Sequence, residues 1–243
     1  MARRTERGRD VAESNSSHQL AEAQCPQCRS RFADEVCRWS RSNRRDFPWR
    51  RPERTDFELV VAELLLQQTR AEAVAALVPI VVDRYPNWAA LASADASQLG
   101  ELIRPLGLHR RRTSALIRLG KAVLDLNEFP ATAQELSKLP GIGQYMSRVI
   151  ALQLFGEVTD APVDVNVARV LERVFGSRKL ADIRYDPYLQ ELARSTPPDG
   201  LEVEYTLGLL DFAAAICKQR RPNCGACPMT FCRARTLGLA DRG

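Results

Sequence analysis

Long apolar runs are missing from this sequence. None approaches the roughly 20 residues that a bilayer-spanning helix needs. The first ten residues, MARRTERGRD, lack the apolar segment that follows the charges of a secretory leader. Both absences lead to the expectation of a soluble cytoplasmic chain with no membrane partner. Alternation of apolar and polar residues, the mark of half-buried strands, is essentially lacking too, which argues against a sandwich or barrel. No internal repeat is visible. Lysine is scarce: Lys121, Lys138, Lys179 and Lys218 are the lysines among 35 basic residues. The net charge of +5 is therefore carried largely by arginine, which grips phosphate bidentately and stacks on bases. A mild basic excess suits a polyanionic partner without requiring one.

What is present is helix. At 243 residues and 45% hydrophobic content, the chain suffices for one large domain or two small ones. Apolar residues fall at helical spacing from Asp56 to about Tyr85 (Leu59, Val60, Ala62, Leu64, Leu66). Further helical stretches lie near 87–94, 96–104 and 110–127, each flanked by Pro, Gly, Asp or Asn. The expectation is an all-α fold of short helices. Residues 1–28 are polar and aperiodic and read as a disordered tail. The pair Cys25-Pro-Gln-Cys28 falls in it and resembles half of a zinc site, with His18 or Cys37 as further ligands. Packing of Cys37 with Phe32, Val36 and Trp39 is the favoured alternative.

Seven cysteines are present, and four crowd together as Cys217-x6-Cys224-x2-Cys227-x4-Cys232. In a reducing compartment such a group favours a metal over disulfides. Either zinc or an iron–sulfur cluster satisfies four thiolates. The x6 loop carries Lys218, Arg220 and Arg221. Tied at both ends to one centre, it would present a rigid cationic finger to phosphate.

The segment Leu139-Pro-Gly141-Ile-Gly143-Gln144-Tyr145 reads as a turn between two helices. The glycines permit a tight turn, and the helix that starts at Gln144 offers first-turn amides to a phosphate. This is a helix-hairpin-helix pattern, a sequence-independent grip on DNA backbone. Asp164 follows 21 residues after Gly143, between apolar neighbours in Pro162-Val-Asp-Val-Asn166-Val-Ala-Arg-Val170. Its carboxylate suits either a helix N-cap or the mouth of a cleft, with the next helix running from Asn166 to Phe175.

These motifs together resemble the helix-hairpin-helix base-excision DNA glycosylases: endonuclease III, the adenine glycosylases and the thymine/uracil mismatch glycosylases. LPGIGQYMSRVIALQLFG, VDVNVARVLERVFG and the four cysteines appear in the family's order. Asp46-Phe-Pro-Trp-Arg50 and Ala62-Glu-Leu-Leu-Leu-Gln-Gln-Thr69 resemble segments of the adenine and mismatch branches. Residues 35 to 235 are covered; the last cysteine spacing is x4 where the family pattern has x5. The resemblance implies a [4Fe-4S] cluster on Cys217, Cys224, Cys227 and Cys232. It implies two helical lobes with a DNA groove between them: a six-helix barrel lobe with the hairpin over 55–156, and a cluster lobe from 29–54 and 157–243. It implies a monomer on double-stranded DNA carrying a mismatch or lesion, associated with the nucleoid, that flips the target nucleotide out. Asp164 takes the catalytic aspartate's position, stabilising positive charge on the sugar or trapping it covalently. Leu139, Gly141, Gly143, Gln144 and Asn166 join the DNA-contacting set.

The same resemblance separates the chemistries. The lyase branch has a lysine after the position of Gln144; Tyr145 stands here, which implies a monofunctional enzyme that leaves an abasic site. Glu63 matches the acid that protonates a departing purine, although the mismatch branch carries a similar glutamate. Gln67-Gln68 looks like the adenine branch, with Gln68 filling the gap left by the flipped base. Against that, Leu108 in Leu106-Gly-Leu-His-Arg110 resembles the leucine wedge of the mismatch and endonuclease III branches. Tyr205-Thr-Leu-Gly-Leu-Leu-Asp-Phe-Ala-Ala-Ala-Ile-Cys217 also looks like the mismatch type, and the chain stops 11 residues after Cys232, before a domain that would read oxidised guanine. The favoured expectation is thymine or uracil opposite guanine. The alternatives are adenine opposite guanine or 8-oxoguanine, and a non-catalytic DNA-binding protein.

Overall fold

The computed structural model describes residues 25–158 and 161–238. They are helical, with no strand among the described residues. The chain divides into two compact units, Arg45–Glu157 and the combination of Met1–Arg44 with Val158–Gly243.

The unit Arg45–Glu157 opens with a 3-10 turn at Pro48–Arg50. Helix α2 spans Asp56–Leu66 and begins in a capping box. The Thr55 hydroxyl accepts from Glu58 N–H at 3.2 Å, and the Glu58 carboxylate accepts from Thr55 N–H at 2.6 Å. Phe57, Leu59, Val60, Val61, Ala62, Leu64 and Leu65 are all buried, so this helix is enclosed on nearly every face. The continuous helical pattern expected to about Tyr85 is broken. α2 stops at Leu66 and α3 spans Ala71–Arg84. The cause lies at Gln68, whose φ of +56° no right-handed helix accommodates.

There follow α4 (Trp88–Ala92), α5 (Ala96–Ile103), α6 (His109–Leu124), α7 (Ala133–Leu136) and α8 (Gln144–Phe155). Leu59, Leu65, Leu91, Leu99, Ile103, Leu116, Leu119, Leu136 and Ile150 fill the shared core. α4 crosses α6 at Gly120, where an added Cβ would lie 2.9 Å from Ala92 N and 3.1 Å from Trp88 O.

The other unit holds α1 (Pro26–Asn43), α9 (Val165–Phe175), α10 (Pro187–Ser195), α11 (Glu202–Ala215) and α12 (Arg233–Thr236). α1 starts inside the stretch expected to be disordered. Cys25 is its N-cap, its sulfur accepting from Cys28 N–H at 3.3 Å, and Pro26 is well placed in a first turn. The remainder of that stretch, with His18, lies outside the described residues. Cys37 is buried with Phe32, Val36 and Trp39, and burial pushes its thiol up to about 11, a poor start for a metal ligand. Phe32 meets Phe175 edge-on at 5.3 Å, and Trp39 meets Phe212 in the same way. α1 and α11 approach closely at Gly208, where a Cβ would sit 2.7 Å from the Ser40 Cβ.

Each unit thus has a helix crossing that tolerates no methyl group. Gly120→Ala and Gly208→Ala are each expected to cost about 1–3 kcal/mol, read as a lower midpoint in chemical denaturation; unchanged midpoints would show the crossings to be slack.

Candidate active site and DNA-contacting surface

In the hairpin, Ile142 N–H donates to Leu139 O at 3.2 Å, and both side chains are buried. The apolar residues therefore anchor the turn from beneath. Gly141 adopts φ +85°, and a Cβ there would touch Ala115 and Leu64 at 3.3 Å. Gly143 is different: its backbone is extended, and a Cβ would enter open space. It caps α8 without a side chain, so the positive end of a 12-residue helix faces outward over a smooth surface. Gln144 and Tyr145 are the first two residues of that helix, the former exposed and the latter half-buried.

Two further segments join the hairpin within this unit. Gln67 Nε2 donates to Gly141 O at 2.9 Å, which ties the end of α2 to the turn. Gln68 is exposed at φ +56°, and Leu108 is 52% exposed at φ +48° as the N-cap of α6. Both are left-handed without being glycine, a strained state. With Leu64, Arg111, Arg118 and Gly141 they border a cleft of about 370 Å³.

Glu63 lies one turn before the end of α2. Its carboxyl is pushed up to about 7, because burial outweighs the opposing effects of Arg50, a 3.4 Å hydrogen bond from Gln153, and Arg54. A carboxyl still half protonated at neutral pH is equipped to give a proton.

Asp164 belongs to the other unit, where it is the N-cap of α9. One oxygen accepts from Asn166 N–H at 2.8 Å and Val167 N–H at 2.7 Å; the other accepts from the Asn166 side-chain amide at 2.7 Å. Asn166 in turn accepts from Arg169 at 2.9 Å, and Arg169 donates to Cys217 O at 2.9 Å and Ala213 O at 3.1 Å. The carboxylate is thus half-buried and held in one orientation. Capping and a chemical role are compatible, since an outer face remains.

Cys217, Cys224, Cys227 and Cys232 are half-buried free thiols. Burial raises Cys227 and Cys232, and the proximity of the other thiols adds to it. Such mutual repulsion is what a cationic centre relieves. Among the described residues no three His, Cys, Asp or Glu side chains converge as one metal ion requires. Four thiols are the donor set of zinc and iron–sulfur centres alike. Arg173 donates to Lys218 O at 2.6 Å and Gln219 O at 3.0 Å, which fixes the loop backbone and leaves Lys218, Arg220 and Arg221 exposed.

Residues 61–197 match the HhH-GPD superfamily of base excision DNA repair proteins. The chain belongs to this family. It is a DNA glycosylase of base excision repair, a hydrolase of N-glycosidic bonds. It is 35% identical over 190 residues to the thymine-DNA glycosylase of Aeropyrum pernix, covering 76% of this chain and 84% of that one. It is 34% identical over 212 residues to the adenine DNA glycosylase of Mycolicibacterium smegmatis, covering 84% and 70%. The solved structure of a thermostable thymine-DNA glycosylase superimposes with a TM-score of 0.78 at 29% identity, over 86% of this chain and 97% of that one. An endonuclease III–DNA complex shares the fold at a TM-score of 0.75 and 24% identity, over 88% and 98%.

Sequence reasoning overlooked Arg112. It is 4% exposed on the inner face of α6, ahead of Leu116 and Leu119. A cation on the apolar stripe was the available signal, hidden in the run Arg110-Arg111-Arg112.

Two outcomes follow from this geometry. The rate of base release is expected to be flat below pH 7 and to fall about ten-fold per pH unit above it, as the Glu63 proton is lost. Glu63→Gln should flatten that limb at a rate about 10²-fold lower; a fall centred near the ordinary carboxylate range would contradict the assignment. Gly143→Ala should leave the melting temperature unchanged and weaken duplex binding about ten-fold, measured by fluorescence anisotropy, because its methyl group obstructs only the approaching phosphate.

Proposed function

We propose that this enzyme hydrolyses thymine or uracil from mismatches with guanine in double-stranded DNA and leaves an abasic site uncut. The observation that carries the reading is Leu108, an exposed leucine held in a left-handed turn at the mouth of α6. The adenine branch carries a tyrosine pair there; a leucine wedge belongs to the mismatch and endonuclease III branches. The A. pernix relative and the thymine/uracil-DNA glycosylase of Pyrobaculum aerophilum, 32% identical over 206 residues, support the same choice.

The steps fall to this chain's own groups. The hairpin amides and the cations at 218, 220 and 221 hold phosphates. Leu108 and Gln68 enter the stack and take the place of the extruded nucleotide. Glu63 donates a proton to the departing base, which leaves with the electron pair of the C1′–N bond. Asp164 stabilises the positive charge on the sugar until water adds at C1′. Tyr145 stands where a lyase carries its amine, so no Schiff base forms and the strand stays intact. Cys217, Cys224, Cys227 and Cys232 would hold a [4Fe-4S] cluster, which would cross-link the cationic loop.

One observation favours a second substrate. A proton donor with a pKa of about 7 suits a purine leaving group, and the M. smegmatis relative is an adenine enzyme. A duplex panel decides: G·T, G·U, A opposite guanine and A opposite 8-oxoguanine, each assayed for base release with and without alkali. Release from G·T and G·U, with strand breaks only after alkali, is expected; release from the adenine duplexes alone would overturn the pyrimidine reading. Asp164→Asn should slow release at least about 10³-fold while duplex affinity holds or rises. Loss of both would reduce Asp164 to a helix cap. The purified protein should carry about four irons per chain and a broad visible absorption; one zinc per chain would exclude the cluster.

A further inference from the structure

Gln68 and Leu108 sit 40 positions apart in sequence and in separate turns, yet one side chain touches the backbone beside both. Arg112 Nη1 donates to Leu106 O and Gly107 O, the two carbonyls before Leu108. Its Nη2 donates to Gln67 O and Thr69 Oγ1, the groups on either side of Gln68. The guanidinium is nearly inaccessible, and burial lowers its pKa. All of these partners are neutral oxygens, with no carboxylate among them. A buried cation without a counter-ion is costly, so a purely structural link would be better made by uncharged groups.

The two turns also need restraint. Left-handed backbone is disfavoured for a residue other than glycine, and both Gln68 and Leu108 occupy that region while exposed to solvent. Released, each would relax into right-handed or extended backbone and swing its side chain away. A planar fork with several fixed N–H directions is suited to hold four acceptors on two turns at once.

We infer that Arg112 is a positioning residue for nucleotide extrusion: it locks the Gln68 and Leu108 turns in their left-handed form, as one rigid two-pronged wedge, before DNA arrives. The inference rests on the reading of Gln68 and Leu108 as the residues that enter the duplex. Preorganisation of this kind shows as a faster insertion step rather than as tighter general DNA binding.

The test compares the parent with Arg112→Lys, which keeps the charge but not the fork, and with Thr69→Val, which removes one acceptor with little change of volume. Wedge insertion is read on a duplex with a tetrahydrofuran abasic site opposite 2-aminopurine, by stopped-flow fluorescence; no base need be released there. Base release is read separately on G·T and G·U under single turnover with saturating enzyme. Arg112→Lys should slow insertion and release together by at least about ten-fold, with affinity for undamaged duplex within about three-fold of the parent. Thr69→Val should slow both about three-fold. Insertion at the parental rate in either folded variant, or loss of undamaged-duplex affinity in step with release, would overturn the proposal. If Arg112→Lys does not fold, Thr69→Val alone decides by the same criteria. A parent that inserts but releases neither thymine nor uracil would sink the substrate reading while leaving the Arg112 comparison intact.

Discussion

Burial of helix α2 is the constraint from which the chemistry of its unit follows. Seven of its eleven residues are buried, so the helix has no broad solvated face on which to place a charge. Glu63 sits on it nonetheless, and lack of water moves its carboxyl to about 7 against the pull of two arginines. The sign matters for folding as well as for chemistry. The folded carboxyl holds its proton above the ordinary value of 4.5, so stability present at low pH is lost as pH rises from that value through about 7. Such a cost persists where function needs it. The same enclosed helix must then end abruptly, because Gln67 and Gln68 are exposed. Its terminus is what Arg112 and the Gly141 carbonyl hold.

Asp164 presents the complementary case. It is half-buried, and three donors hold its two oxygens in one orientation. Two carboxyl groups in one chain are thereby set in different surroundings: Glu63 desolvated with its carboxyl raised, Asp164 hydrogen-bonded at a helix start. The run of contacts from Asp164 through Asn166 and Arg169 to Cys217 O places the anion and the first cysteine of the C-terminal group on one hydrogen-bonded frame. Whatever orders the cysteine loop also steadies that frame.

What could be read from the sequence was local. The turn at Gly141 and Gly143, the cap position of Asp164 and the grouping of four cysteines each depend on residues a few places apart, and the short all-helical pattern follows from spacing within single helices. What escaped depends on distant partners. The helix break at Gln68 is invisible in the apolar periodicity, which continues smoothly from Leu66 into Val74; it is maintained by an arginine 45 positions beyond Gln67. Arg112 itself was lost among neighbouring arginines whose side chains are exposed. The first residues of α1, from Pro26 to Cys28, escaped for the same reason. That polar helix owes its place to Phe32 and Val36 packing on Phe175 and Tyr205, far along the chain. The apolar neighbours Leu64, Leu65 and Leu66 point Glu63 toward a pocket, but its raised pKa needed the burial and the nearby Arg50 and Arg54 that only the fold shows.

The central claim is that Glu63, desolvated on α2, is still about half protonated at neutral pH. It is tested most directly by titrating the Glu63 carboxyl carbon by ¹³C NMR in the free enzyme, with the resonance assigned by its disappearance in Glu63→Gln. A midpoint at about 7 is predicted; a midpoint near 4.5 would mean that the carboxyl is ionised under working conditions and that Glu63 is not the proton donor.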